Sequence, residues 1–212
     1  MKILASILLL ALAASLAISC RREEPYDYDE STYPFWVMML TTYSYRSSSG
    51  DTILIQDRLD GSVEMTRRRS YGGLVYRVLV QKCPLGYTFS TQTKLCTKGD
   101  TVTFQYCSVA SNACNASNGT LTNLGTSEAY QGCNSNNLLA LTWQVISENV
   151  LIDMMHHPDR DSVFPDLMNN YYWANNTSNT TTANVYRRTD LKEARSKTER
   201  HGVVCQFSGE FY

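Results

Sequence analysis

The sequence predicts an α+β fold that is stapled by disulfide bonds, and three observations lead to this prediction. Strand-like segments come first, two helix-like segments follow them, and further strand-like segments close the chain. All but one of the seven cysteines lie beyond residue 80. Apolar residues make up 43% of the chain and charged residues only 18%, which excludes a disordered protein. The formal net charge of −1 argues against a nucleic-acid ligand, because phosphates require a positive surface.

Residues 1–19 are interpreted as a lipoprotein signal peptide. Lys2 supplies a positive start, and the uncharged apolar stretch Ile3–Ile18 is shorter than the roughly 20 residues that span a bilayer comfortably. Cys20 follows this stretch as in a bacterial lipobox, which predicts cleavage before Cys20 and lipidation of its thiol. The alternative is an ordinary signal peptide that leaves Cys20 as a free thiol. Acyl chains on Cys20 would anchor the protein to a membrane.

Residues 20–34 are interpreted as a lipidated, flexible tether. The segment after Cys20 has five acidic residues, two prolines and no aliphatic residue, which favours a solvated chain. Arg21 stands where an aspartate would retain an enteric lipoprotein in the inner membrane, so sorting to the outer membrane is permitted. The predicted location is therefore the outer membrane, with surface exposure favoured over a periplasmic orientation. Trp36 is expected where the tether joins the domain.

Leading strands are predicted over residues 35–57. Phe35–Tyr45 is apolar and rich in residues that favour strands, Ser47–Asp51 has the composition of a turn, and Ile53–Ile55 is a short strand. The main domain is predicted over residues 58–212.

Further strands are predicted on both sides of the helices. Leu74–Val80 is an apolar run, Thr101–Cys107 alternates between apolar and polar residues, and both patterns predict strands. Residues 108–125 are small and polar and indicate a surface loop. The strand candidates near the end of the chain are Tyr171–Trp173, Val185–Tyr186 and Gly202–Phe207.

Two helices are predicted in the middle of the chain. Thr126 or Ser127 can cap a helix that begins at Glu128, because a hydroxyl there accepts a hydrogen bond from a free backbone N–H of the first turn. Ser147 can cap a second helix, which Pro158 ends because proline cannot continue it. Residues at i,i+4 spacing form the buried face of this second helix, namely Val150, Leu151, Met154 and Met155.

Six cysteines remain for disulfide bonds, which an oxidising compartment favours. Six cysteines allow many connectivities, and the sequence alone does not choose among them. Local arguments favour Cys83–Cys96, which has turn-rich flanks, and Cys107–Cys114, which encloses a short loop; Cys133 and Cys205 are then left for each other. Zinc is the competing use of cysteines, but the chain has no CxxC pair and its histidines lack finger spacing. No metal and no cofactor are predicted.

Short motifs occur in a characteristic order along the chain. They are Asp60–Val63, Gly73–Tyr76, Val80–Gly86, Cys96, Ala129–Cys133, Thr142–Leu151, Phe164–Pro165, Tyr172–Trp173, Thr177–Asn179 and Gly202–Cys205. Over roughly residues 58–207, this order resembles the Lcl C-terminal domain family of bacterial adhesins, which is abundant in spirochaetal lipoproteins. The copy is somewhat degenerate, since Gln144, Ile146 and Ser147 replace the Arg, Pro and Thr of the family.

The resemblance implies a C-type-lectin-like fold with two helices and a mostly antiparallel, twisted sheet. In such folds a cysteine of the first helix pairs with one of the last strand, which supports Cys133–Cys205. The resemblance also implies an adhesin-like module for host extracellular matrix or sulfated polysaccharide. The alternative is a structural, envelope-maintenance lipoprotein without a host ligand.

A basic surface is the candidate binding site. The segment from Arg187 to His201 has a formal charge of +3, and with a second basic run it could bind sulfate groups. The competing interpretation of this segment is a solvated loop of mixed charge. The candidate residues for polyanion binding are Arg67, Arg68, Arg69, Arg187, Arg188, Lys192, Arg195, Lys197 and Arg200.

The sequence gives weaker support to other chemistries. No GxSxG or HExxH motif is present, so an enzyme is not predicted. A calcium site has oxygen ligands available but no Glu-Pro-Asn triplet of the lectin type, and adjacent His156 and His157 would point in different directions on a helix. Trp143 and Trp173 are predicted in the core, with stacking on sugar as the alternative. The oxygen ligands considered for calcium are Asp159, Asp161, Asp166, Asn169 and Asn170.

Overall fold

A computed structural model describes residues 42–165, 167, 170–187 and 192–210 of the chain. Over these residues, strands that pair antiparallel form four sheets, and three α-helices accompany them, which confirms the α+β class. The strands are β1 (Thr42–Arg46), β2 (Thr52–Asp57), β3 (Ser62–Arg68), β4 (Leu74–Gln81), β5 (Tyr87–Phe89), β6 (Cys96–Lys98), β7 (Phe104–Gln105), β8 (Gln144–Val145), β9 (Tyr171–Thr177), β10 (Thr182–Arg187), β11 (Lys192–Ser196), β12 (Arg200–His201) and β13 (Cys205–Phe207). The helices are α1 (Glu128–Asn134), α2 (Glu148–His156) and α3 (Arg160–Val163).

The largest sheet has six strands in the order β1-β2-β3-β4-β13-β8. Alternation along β2 turns Ile53 and Ile55 inward, and both are fully buried. They join one core cluster with Val150, Leu151 and Met154 from the apolar face of α2. The predicted buried face of the second helix is therefore confirmed, since all four of its residues are at most 2% exposed.

A second core cluster contains two tryptophans and two of the disulfides. Trp143 and Trp173 are at most 1% exposed, which confirms their prediction as core residues. Each indole donates to a backbone carbonyl at 2.8 Å, Trp143 to Leu138 and Trp173 to Phe104. Satisfied indole N–H groups allow such large side chains to be buried without an unpaired donor.

The three predicted cysteine pairs are present in the structure. Cys83–Cys96 spans the β5–β6 hairpin, Cys107–Cys114 closes a short loop, and Cys133–Cys205 joins α1 to β13. Cys133 and Cys205 are 72 residues apart in the sequence, and their Cα atoms lie 5.6 Å apart. Cys20 lies outside the described residues, as do the signal peptide, the tether and Trp36.

Local predictions succeeded for the helices and failed for several strands. Ser127 caps α1 by accepting from the Tyr130 N–H at 3.0 Å, and α2 occupies the predicted range. Ser147 lies at the N-cap position of α2, but its side chain forms no capping hydrogen bond and instead donates to Gln206 at 3.1 Å. The strand predicted over Thr101–Cys107 is wrong in length, because only β7 pairs there. Strands β3 and β11 and the four-residue helix α3 were not predicted.

His157, which follows α2, provides a pH-dependent contribution to stability. Its side chain is fully buried, and its Nδ1 accepts from the Asp159 N–H at 3.2 Å. Burial lowers the pKa of His157, and the Asp159 carboxylate, 3.8 Å from Nδ1, only partly opposes this. The unfolded chain therefore takes up a proton at higher pH than the folded chain does.

We expect His157 to reduce the stability of the fold as the pH falls from about 6.5, the ordinary pKa of histidine, to the lower pKa of the buried side chain. In this range the free energy of unfolding of the wild type should fall by up to about 1.4 kcal/mol per pH unit. Urea unfolding of the wild type and of His157→Gln between about pH 7.5 and pH 5 measures this. The variant should be less stable at the higher pH, and the difference should narrow on acidification. A constant difference across that range would contradict the assignment.

Candidate functional site

Arg67, one of the predicted polyanion-binding residues, is committed to a structural ion-pair cluster. It lies on β3 and donates to the Asp51 carboxylate at 2.7 and 2.9 Å and to the Asp153 carboxylate at 3.1 and 3.2 Å. Tyr76 donates to the same Asp153 at 2.7 Å. Burial works against the charged form, but the two carboxylates outweigh it and raise the pKa of Arg67. The guanidinium therefore ties the β1–β2 turn to helix α2.

Lys197 is fully buried, so its prediction as a surface residue for polyanions is corrected. Its Nζ donates to backbone carbonyls of Ser111 and Thr180 at 2.9 Å, and to the amide oxygens of Asn112 at 3.0 Å and Asn115 at 2.8 Å. This ammonium holds together the loops that carry its four acceptors, and it is not accessible at the surface.

Three more of the predicted residues form ion pairs on the surface. Lys192 contacts Glu148 at 2.6 Å, Arg195 contacts Glu193 at 2.5 Å, and Arg200 contacts Glu128 at 2.8 Å. Each pair has a formal charge of zero, which weakens the attraction of this surface for an anion.

The guanidinium groups of Arg187 and Arg195 both lie near the ring of Tyr171, at 5.8 and 5.1 Å from its centroid.

The basic segment from Arg187 to His201 is not a solvated loop over its whole length, because Lys192–Ser196 forms β11 at the edge of a three-stranded sheet. Arg188 lies outside the described residues.

The remaining predicted residues, Arg68 and Arg69, are exposed at one end of the large sheet. The strand register places Arg46 of β1 opposite Thr52, Thr52 opposite Arg68, and Arg68 opposite Leu74. Arg46, which the sequence interpretation missed, is exposed as well. We call this surface the basic end of the sheet. It consists of Arg46, Arg68, Arg69, Tyr71, Leu74 and Val75.

The turn between β3 and β4 presents this surface. Gly72 and Gly73 have φ values of +86° and +87°, which residues with a Cβ rarely adopt. The turn closes through hydrogen bonds from Arg69 N to Gly73 O and from Gly72 N to Arg69 O, both at 3.0 Å. Arg69, Tyr71 and Leu74, in and beside this turn, are all exposed.

The basic end combines positive charge with exposed apolar side chains. Tyr71 is 79% exposed, Leu74 55% and Val75 43%. Arg69 donates to the Tyr71 hydroxyl at 2.9 Å, with its guanidinium 5.7 Å from the ring centroid. Across the described part of the chain, Arg46 and Arg68 form no ion pair.

The charge of this region remains positive when the neighbouring ion-pair cluster is included. Arg46, Arg68 and Arg69 with Arg67 contribute +4, and the two aspartates that pair with Arg67 contribute −2. A formal +2 at the end of a sheet is a surface that favours anionic ligands.

The structure gives less support to the other candidate sites. His157 is buried against the core, whereas its neighbour His156 is exposed, so the two do not share a site. Asp166 and Asn169 of the calcium candidates lie outside the described residues. Over the described ranges, no three His, Cys, Asp or Glu side chains cluster as metal ligands, and no helix has the length and apolar character needed to cross a membrane.

Comparison with known proteins adds no relative: no family model, no curated protein and no solved structure matches this chain.

Proposed function

We propose that this protein is an exported, lipid-anchored, non-catalytic binding protein, and that its basic end binds a sulfated polysaccharide of the host extracellular matrix. One observation carries the proposal. Arg46, Arg68 and Arg69 are exposed at one end of the sheet, Arg69 contacts Tyr71, and none of the three forms an ion pair with a described carboxylate.

The chemistry of these side chains suits sulfate groups. A guanidinium presents a planar set of donors that binds an oxyanion through two parallel hydrogen bonds. Tyr71 and the neighbouring Leu74 add exposed apolar area against which the carbon framework of a sugar can pack. Because none of the three arginines forms an ion pair with a described carboxylate, binding need not break an existing ion pair.

The C-type-lectin-like character of the fold is part of the proposal. The Cys133–Cys205 bond supports it, because it joins the first helix to the last strand as the resemblance to the Lcl C-terminal domain family implies. The three-stranded sheet and the large sheet share a core, which is compatible with one lectin-like domain.

Heparin affinity tests the proposed ligand. We expect the purified protein to be retained at physiological ionic strength and Arg68→Ala/Arg69→Ala to weaken binding by about tenfold or more per arginine, because charge-assisted hydrogen bonds are lost. Raising the salt concentration should weaken the wild type more steeply than the variant, since fewer charges remain to be screened in the variant.

The matched control is Arg77→Ala/Arg200→Ala. It removes the same formal charge from two exposed arginines that pair with Glu64 and Glu128, at 2.6 and 2.8 Å. This control should stay near the wild type. If the wild type elutes with neutral proteins, or if both double variants lose equal affinity, the proposed site is wrong, and a structural envelope lipoprotein without a host ligand becomes the better interpretation.

A further inference from the structure

A second surface feature lies at the opposite end of the β3–β4 hairpin. It is a cleft of about 370 Å³ beside the Cys83–Cys96 hairpin, within the size range of small-molecule sites. Gln81 at its base pairs with Ser62, whereas Arg68 of the basic end pairs with Leu74. Six residues along β3 separate the two places, or about 20 Å. The residues that give the cleft its chemistry are Asp60, Gln81, Tyr87, Phe89, Asn136 and Asn137.

The walls of the cleft are held by covalent and backbone constraints. Gly61, with φ +95°, lies directly under Phe89, since a Cβ at Gly61 would be 3.0 Å from that ring. The disulfide from Cys83 fixes the β5–β6 hairpin that carries Tyr87 and Phe89. Phe89 therefore has a fixed place in the wall.

Strained backbone is concentrated around this cleft. The described residues other than glycine that have positive φ are Leu59, Lys94, Leu139 and Ala140. Leu59 precedes Asp60, Leu139 follows the lining residue Leu138, and Lys94 donates from Nζ to the Leu59 carbonyl at 2.9 Å. Strained backbone tends to cluster where a binding surface is preorganised.

The polar side chains of the cleft have unused hydrogen-bonding capacity. Gln81 is only 3% exposed, its Oε1 accepts from Asn136 at 3.2 Å, and its Nε2 has no partner among the described residues. Asp60 accepts from the backbone and hydroxyl of Ser62 through Oδ1 at 2.9 and 2.5 Å, its Oδ2 lies 3.6 Å from Nε of Arg58, and its side chain is 33% exposed. A buried amide without a partner is uncommon in proteins and marks a group that a ligand can satisfy.

We propose that this cleft binds a neutral sugar residue. The C–H face of a pyranose would pack on Phe89, and its hydroxyls would donate to Asp60 and exchange hydrogen bonds with Gln81 and Asn136. The described residues that line the cleft include no Lys, Arg or His to bind an anionic ligand, and the amide groups disfavour a wholly apolar one. Nε2 of Gln81 is buried, so this proposal requires the side-chain amide to turn before Nε2 meets the ligand. This site does not depend on the proposed function of the basic end.

The test uses the purified protein in a detergent that contains no sugar. Glucose, galactose, mannose and N-acetylglucosamine are each titrated to about 10 mM, and amide resonances are followed by NMR. We expect at least one sugar to shift the side-chain amide resonances of Gln81 and Asn136 in a saturable way. Phe89→Ala and the nearly isosteric Asp60→Asn should each weaken that binding by about tenfold.

Two controls locate the effect. Leu95→Ala changes an exposed residue of the same hairpin that does not line the cleft, and it should bind like the wild type. Arg68→Ala/Arg69→Ala should lose heparin binding and keep sugar binding, which separates this proposal from that of the basic end. Absence of a saturable shift for all four sugars, or equal binding by wild type, Phe89→Ala and Asp60→Asn, would overturn the assignment.

Discussion

Replacing Lys197 by methionine is expected to cost about 1–3 kcal/mol of unfolding free energy, the range found when a buried polar group loses its hydrogen-bond partner. The Lys197 ammonium is fully buried and lies within 3.0 Å of four oxygen acceptors. Methionine fills a similar volume but donates no hydrogen bond, so the amide oxygen of the buried Asn115 would lose its donor, and the other three oxygens would lose theirs at partly buried positions. Burial lowers the pKa of Lys197, whereas the four acceptors favour its charged form.

The loss should spread through the contacts that the ammonium organises. Asn115 accepts from Lys197 and in turn donates to the Tyr106 hydroxyl at 2.7 Å and to the Gly119 carbonyl at 2.9 Å. The loop that carries Asn115 would therefore lose order along with the ammonium. Amide hydrogen exchange should increase at Gly119, whose N–H donates to the Ala116 carbonyl in the native loop.

The control is Lys192→Met, which removes the same charge from an exposed ion pair with Glu148. Exposed ion pairs contribute at most about 1 kcal/mol, so this variant should unfold near the wild-type urea midpoint. If the two variants are equally stable, the buried ammonium does not hold these loops.

No feature of the sequence indicates that Lys197 is buried. Lysine is almost never fully buried unless paired, so a lysine in a basic segment predicts exposure. Its partners Ser111, Asn112 and Asn115 precede it by more than 80 residues. Only the folded chain brings these neutral oxygens together around the amine.

Predictions that depended on neighbouring residues succeeded more often than those that depended on pairing. Ser127 and Pro158 mark helix ends because they act on the adjacent backbone. Strand β11, by contrast, has the sequence KEARS and lacks apolar alternation, and it forms only because β10 provides a partner. Strand β3 carries the basic run, whose charges obscured its buried residues Val63 and Met65.

The candidate surfaces show the same contrast between residues that are neighbours in sequence and residues that only the fold brings together. Arg68 and Arg69 could be predicted because they are adjacent in sequence, whereas Arg46 joins them through the register of β1, β2 and β3. The cleft was not predicted, since Asp60, Gln81 and Asn136 come from three separate segments. Single residues such as asparagine give no signal of a shared site until the topology places them together.

Removing the Cys133–Cys205 bond should cost about 4 kcal/mol, and more than removing either of the other disulfides. In the chain-entropy account, a bond stabilises by restricting the unfolded chain, and the effect grows with the loop that it closes. Cys133–Cys205 closes a loop of 72 residues, whereas Cys107–Cys114 closes one of 7, for which the same account gives about 2 kcal/mol. Both residues of the long-range pair are fully buried.

The double variants Cys133→Ala/Cys205→Ala and Cys107→Ala/Cys114→Ala form a matched comparison, since each replaces two fully buried cysteines. Urea unfolding of both variants against the wild type measures the difference. Equal losses would show that cavity formation, which is similar at the two sites, outweighs loop length. A larger loss for the long-range pair would instead mean that the bond mainly restricts the unfolded chain. Because β13 lies between β4 and β8 in the large sheet, that bond then determines how readily the two parts of the chain meet during folding.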